Sequence, residues 1–214
     1  MGQPILIYGE SGSGKSRSLK NFAEDEIFLI NVEGKFLPFK KHFKYVMCSK
    51  SYQTIESQLK KMPTKIAVID DAGYLLTAQY MSGHSTGARG SAVFDLFNEL
   101  ADNYWGLIQF IKSQLPDDVI VYIMMHEEVN DYGKVKLHTI GKLLEDKVKL
   151  EGMVTIALRC MSKDGKHFFR TVTDGNDITK SPEDMFEFDE IDNDLKMVDE
   201  TIRNYYNLGV KPND

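Results

Sequence analysis

Short apolar runs recur along the chain, each closed by a polar or glycine-bearing stretch. Residues 5–8, 27–32, 45–48, 66–69 and 119–125 are continuous rather than alternating, the pattern of strands covered on both faces. Between them lie segments with a helical period. Ser51 is placed to cap a helix carrying Ile55, Leu59 and Met62 on one side, and Phe94, Phe97, Ala101, Tyr104, Ile108 and Ile111 mark a long helix ending before Pro116. A short helix is expected from Ser16 to about Ala23. Residues 153–160 and 167–173 flank Lys163-Asp164-Gly165, a hairpin signal, and residues 193–208 read as a terminal helix with Leu195, Val198 and Ile202 inward, stopped by Gly209 and Pro212. This order predicts an α/β fold, a mostly parallel sheet flanked by helices with a C-terminal antiparallel hairpin. Residues 1–190 would form the core, with the helix and tail of residues 191–214 packed on it.

The polar stretches that close these runs carry the chemistry. After the first run stands Gly9-Glu10-Ser11-Gly12-Ser13-Gly14-Lys15-Ser16, followed by Arg17. Glycines between a strand and a helix start let successive N–H groups converge on one concavity suited to a polyphosphate. In this pattern Lys15 reaches the β- and γ-phosphates and the Ser16 hydroxyl serves Mg²⁺, so ATP and Mg²⁺ are the expected cofactors. The run at residues 66–69 leads into Asp70-Asp71, which makes Asp70 the second metal-side residue. Two further polar residues close strands: Glu33 and His126. The carboxyl edge of an open α/β sheet is where ligands bind, which groups both with the loop. Asp71 stands where AAA-type ATPases have their activating glutamate, one carbon shorter, so Glu33 is the alternative base, working with Lys15.

Bulk properties narrow the setting. The 214 residues are 42% hydrophobic and 27% charged, which excludes a largely disordered chain. A net charge of −6 excludes electrostatic coating of nucleic acid by the whole molecule, leaving only local basic patches. Cys48 and Cys160 have no metal-type spacing, no apolar run reaches bilayer length, and the first strand begins almost at once. The expectation is a cytoplasmic protein in a reducing compartment, without membrane association.

The segment Leu29-Ile30-Asn31-Val32-Glu33-Gly34-Lys35-Phe36 resembles the apolar-Asp-Thr-Glu-Gly-Thr-Phe segment of RecA-like recombinases, with Asn31 in place of the usual aspartate. The tail, with Thr179-Lys180-Ser181-Pro182, Asn193-Asp194-Leu195 and Tyr205-Tyr206, looks like that of phage-encoded P-loop ATPases of the Sak type. The resemblance implies a RecA-like P-loop NTPase core whose glutamate, here Glu33, activates the attacking water and whose strand-end residue, here His126, reports nucleotide state. It implies an ATPase acting on single-stranded DNA in phage recombination or replication within the host cytoplasm, homo-oligomeric, with a phage single-strand-binding protein as a further partner. Residues 83–91 and 130–138 fall at that family's DNA-binding loops, which makes Arg89, Lys134, Lys136 and His138 the DNA-contact candidates. Arg159 or Arg170 could act as a finger on a neighbour's nucleotide. Two other functions use the same loop: a small-molecule kinase, which calls for an arginine-bearing lid, and a non-hydrolysing, nucleotide-gated binding module.

Overall fold

In the computed structural model, residues 1–85, 92–140 and 148–209 are described. The apolar runs form strands β1 (Gln3–Gly9), β2 (Ile27–Asn31), β3 (Tyr45–Met47), β4 (Ile66–Asp70) and β5 (Ile120–Val129). They are followed by β6 (Val135–Leu137), β7 (Ala157–Lys163), β8 (Lys166–Arg170) and β9 (Glu190–Asp192). Four helices accompany them among the described residues: α1 (Tyr52–Leu59), α2 (Gly73–Ser85), α3 (Ala92–Gln114) and α4 (Leu195–Tyr206).

The sheet order is β3-β2-β4-β5-β1-β7-β8-β9, with β6 paired to β5 alone. Pairing is parallel from β3 through β7 and antiparallel for β7–β8, β8–β9 and β5–β6. This is a mixed α/β fold with a mostly parallel central sheet. One topological fact governs the site: β5 stands between β1 and β4. The loop after β1 and the acids at the β4 terminus therefore face each other across the end of β5.

Continuous apolar runs are required because both sheet faces are covered. Leu6, Tyr8, Phe28, Ile30, Ala67, Ile69, Val121 and Ile123 pack under α1, α2 and α3. Their alternate neighbours Ile5, Ile7, Ile27, Leu29, Val68, Tyr122 and Met124 pack against Leu19, Phe22 and the Leu195, Val198 and Ile202 face of α4. Helix α4 is also pinned by charge: the buried Asp199 accepts from the Tyr122 hydroxyl at 2.9 Å and from Arg203 Nε at 2.6 Å.

Several local expectations change. The helix after the phosphate loop is a 3-10 turn, Ser16–Asn21. There the Ser18 hydroxyl donates to Lys15 O at 2.6 Å, a side-chain bond of the kind that competes with regular helical pairing. Residues 130–138 are not a plain loop, because β5 runs on to Val129 and β6 returns antiparallel. The tip is closed by Asn130 Oδ1, which accepts from Tyr132 N and Lys134 N, with Gly133 at φ 76°. Helix α2 extends through Gly83 to Ser85. The remainder of the expected loop, including Arg89, lies outside the described residues. Phe94 is 67% exposed, and the buried stripe of α3 starts at Leu96. Asp164 and Gly165, at φ 52° and 74°, form the tight turn of the β7–β8 hairpin. Asn207, at φ 52°, takes the left-handed position that ends α4, ahead of Gly209.

Candidate functional site

The phosphate loop is built against the next strand rather than suspended in solvent. Gly9 lies so close to the Cys160 carbonyl of β7 that a Cβ would overlap it. Gly14 has φ 109°, and a Cβ there would come within 2.8 Å of His167 Nδ1. Between these glycines the Ser13 carbonyl accepts from Cys160 Sγ at 3.2 Å and meets His167 Nδ1 at 2.7 Å. A carbonyl only accepts, so His167 carries its proton on Nδ1. Burial pushes the Cys160 thiol up to about 11, which keeps it protonated as that donor. Lys15 is 6% exposed, and its ammonium donates to Gly9 O and Glu10 O at 2.8 Å each. Burial lowers its pKa, against the raising effect of neighbouring groups that include Asp71 and Asp70.

Asp70, the last residue of β4, and Asp71, the first beyond it, divide the work. Asp70 is buried, and its two carboxylate oxygens lie 3.0 and 2.8 Å from the Ser16 hydroxyl. Burial, and then the charge of Asp71, raise its pKa, while the Ser16 bond opposes them. Asp71 sits at φ 60°, a left-handed conformation that aspartate tolerates. Its Oδ1 lies 3.3 Å from His126 Nε2 and its Oδ2 2.7 Å from Lys35 Nζ. Burial works against ionisation of Asp71, but the hydrogen bonds from His126 and Lys35 outweigh it and hold the carboxyl down at about 2. His126 closes the chain of contacts, with Nδ1 3.4 Å from Lys15 Nζ and the ring edge-on to Tyr74. An ammonium only donates, so Nδ1 is the acceptor there and the His126 proton sits on Nε2, directed at Asp71.

Gly14, Lys15, Ser16, Lys35, Asp71, His126 and His167 line one cavity of about 330 Å³ together with Ser11, Gly12, Arg17, Phe36 and Pro38, while Asp70 stands behind Ser16 and meets it through the serine hydroxyl. Of the residues expected to hold nucleotide, Ser11, Gly12, Gly14, Lys15, Ser16 and Arg17 face it. Gly9 and Ser13 shape its wall from behind, and Glu10 and Ser13 line a smaller neighbouring cleft beside Glu127 and Arg159. Glu33 is placed elsewhere. Its carboxylate pairs with Lys50 at 2.6 Å and is absent from the cavity lining, where Asp71 supplies the carboxylate instead. The turn at Gly34, φ 65°, brings Lys35 rather than Glu33 round to the cavity.

The other candidates also have partners. Arg159 makes a two-bond pair with Glu127, at 2.8 and 2.7 Å, and Arg170 pairs with Asp174 at 2.6 Å. Lys136 and His138 both engage Glu128, at 3.0 and 2.7 Å, and Lys134 stands at the hairpin tip. Lys35, Phe36 and His167 join the site without having been candidates. Lys35 and Phe36 directly follow Glu33-Gly34 in the chain; His167 has no local signal, since hairpin pairing alone brings it to Ser13.

The residues present fit a divalent cation bound with a polyphosphate. A buried carboxylate whose pKa is raised, touching one neutral hydroxyl, is a group that a cation would stabilise. Among the described residues there is no cluster of three or more His, Cys, Asp or Glu side chains able to hold a metal ion. Ser16 and Asp70 would therefore share a magnesium ion with phosphate oxygens and water, the usual manner for Mg²⁺. Also among the described residues, no helix is long and apolar enough to cross a membrane.

Fold and site together define an α/β protein with a glycine-rich strand–loop–turn segment against which Asp70 and Asp71 are set at the end of β4. No protein-family model matches the chain, and no curated protein matches it. Among solved structures it is similar to a prototypical ATPase from the type III secretion system of pathogenic bacteria, at 19% identity and a TM-score of 0.43. The match covers 74% of this chain and 52% of that one, so the chain spans about half the length of that ATPase.

Proposed function

We propose that this chain binds ATP with Mg²⁺ and hydrolyses it. The observation that carries the reading is the contact of the Ser16 hydroxyl with both oxygens of the buried Asp70, which joins the phosphate loop to the end of β4 across β5. Bound magnesium would neutralise charge on the phosphate oxygens. The loop N–H groups would cradle the phosphates, and the remaining roles fall to side chains. Lys15, now held by two loop carbonyls, has the charge and position to contact phosphate. Asp71 is the ionised carboxylate facing the cavity and is the group to orient the attacking water, in preference to Glu33. His126, bonded to Asp71 and Lys15 at once, keeps that carboxylate in position and senses any movement of Lys15.

Single-stranded DNA belongs to the proposal as the stimulating ligand, together with association of subunits. The support is structural continuity: the strand bearing His126 runs on into the β5–β6 hairpin, whose tip presents Tyr132, 90% exposed, beside Lys134. Exposed aromatic and basic side chains are the means by which single strands are held. The test is equilibrium ATP binding and ATP turnover, with and without single-stranded DNA, for wild type and Lys15→Ala. Turnover that is raised by DNA and abolished by Lys15→Ala supports the whole reading. Turnover indifferent to DNA removes the DNA part, and tight ATP binding with no turnover leaves a nucleotide-gated module.

A further inference from the structure

Lys35 lies just past the end of β2, and its backbone is gripped by the last residue of that strand. Asn31 Nδ2 donates to Lys35 O at 2.6 Å, and Asn31 Oδ1 accepts from Lys35 N at 3.2 Å. An amide side chain both donates and accepts; an aspartate here would place a negative oxygen against the Lys35 carbonyl. The backbone of Lys35 is thus fixed, while its side chain remains 56% exposed. The ammonium rests on Asp71 Oδ2 at 2.7 Å and over the Tyr74 ring, 4.9 Å from the centroid. That same side chain lines the phosphate-loop cavity together with Gly12, Gly14, Lys15 and Ser16.

Two cations therefore stand on opposite walls of one cavity, tied to a single carboxylate: Lys35 directly, and Lys15 through His126. The two ties differ in strength. Lys15 is buried and held by carbonyls, whereas an ion pair with a half-exposed lysine is weak and readily exchanged. A terminal phosphate carries more charge than a carboxylate and offers three acceptor oxygens, so it competes well for an exposed ammonium.

We propose that Lys35 is a second phosphate-contacting cation of this site, exchanging between Asp71 and the terminal phosphate of a bound nucleoside triphosphate. This rests on the nucleotide-binding reading and deepens it, because the exchange gives the site a means of telling a triphosphate from a diphosphate. It also frees one oxygen of Asp71 only when a terminal phosphate is present to be attacked. Asn31 is the positioning residue, fixing the pivot about which the lysine side chain swings.

The test is calorimetric binding of ADP and of the β,γ-imido analogue of ATP, each with Mg²⁺, to wild type, Lys35→Ala, Lys35→Arg and Lys15→Ala. Lys35 is exposed, so these changes leave the fold intact. Loss of one charge-assisted contact should weaken the triphosphate analogue about tenfold in Lys35→Ala, with ADP affinity within about twofold of wild type. Lys35→Arg should keep most of the triphosphate preference, and Lys15→Ala should weaken both ligands. Equal weakening of both ligands by Lys35→Ala, or of neither, overturns the role of Lys35 and leaves nucleotide binding standing. A wild-type protein that binds neither ligand overturns the nucleotide reading, and this inference with it.

Discussion

The two walls of the cavity are built by different means. The phosphate-loop wall is locked: Gly9 abuts the β7 backbone, the Ser13 carbonyl takes Cys160 Sγ and meets His167, and the Lys15 ammonium is buried in the loop it belongs to. The facing wall, from Lys35 to Pro38, is held by the Asn31 side chain, one half-exposed ion pair and the partly buried Leu37, and its Phe36 is fully exposed. A phosphate cradle has to be formed before its ligand arrives, because convergent N–H groups are useful only when preorganised. A wall that must distinguish ligands has to be able to respond to them. The contrast teaches that rigidity and adjustability are assigned here to separate segments of chain, joined through Asp71 and His126.

The largest effect expected on the rigid side is at Asp70. Asp70→Asn removes a buried charge and with it one magnesium-side ligand, so ATP turnover should fall by about 10²-fold or more. Thermal stability should move the other way, with Tm rising by about 2–4 °C for each 1 kcal/mol of relieved burial cost. Calorimetry beside a turnover assay reads both; a fall in Tm would mean that the carboxylate is a structural partner of Ser16 and nothing more. Next comes Gly9→Ala. Its methyl would meet the Cys160 carbonyl, and strain of this kind costs about 1–3 kcal/mol, measurable as a lower urea midpoint at unchanged slope. An unchanged midpoint would show that the loop wall yields, erasing the contrast.

A comparable but pH-dependent effect belongs to the junction between the walls. Asp71 titrates near 3.8 when unfolded and at about 2 in the fold. The unfolded chain thus takes up this proton first as pH falls, so the contribution of Asp71 is complete above about pH 4 and is lost toward pH 2. The stability difference between wild type and Asp71→Asn, followed by urea unfolding from pH 5 to 2.5, should shrink across that window. A difference that stays constant would mean that Lys35 and His126 do not hold the carboxylate.

These walls also differ in how far they could be read from residues alone. The loop wall was legible because its pattern is local: spacing of glycines, a lysine and a serine after an apolar run is sufficient. The same holds for Asp70 at the end of β4, for the covered-sheet architecture and for the β7–β8 turn, where short-range chemistry dictates the backbone. The facing wall was not legible in detail. Whether Glu33 or Lys35 reaches the cavity depends on the left-handed turn at Gly34 and on a grip by Asn31 that no periodicity encodes. Asp71 was noticed only as a shortened glutamate; its position follows from a positive φ and from β5 delivering His126 beside it. His167 and Asn193, the latter accepting from Arg17 at 3.2 Å, reach the loop from more than 150 residues away in the chain, a separation that local pattern cannot bridge.

The two walls meet in one question, namely which carboxylate faces the attacking water, and one measurement answers it: single-turnover ATP hydrolysis by Asp71→Asn and Glu33→Gln beside wild type. The expected result is a loss of about 10²-fold in Asp71→Asn, with Glu33→Gln within about twofold, since a partly exposed Glu33–Lys50 pair contributes little. A large loss in Glu33→Gln with near-normal turnover in Asp71→Asn would contradict the assignment and return the catalytic role to Glu33.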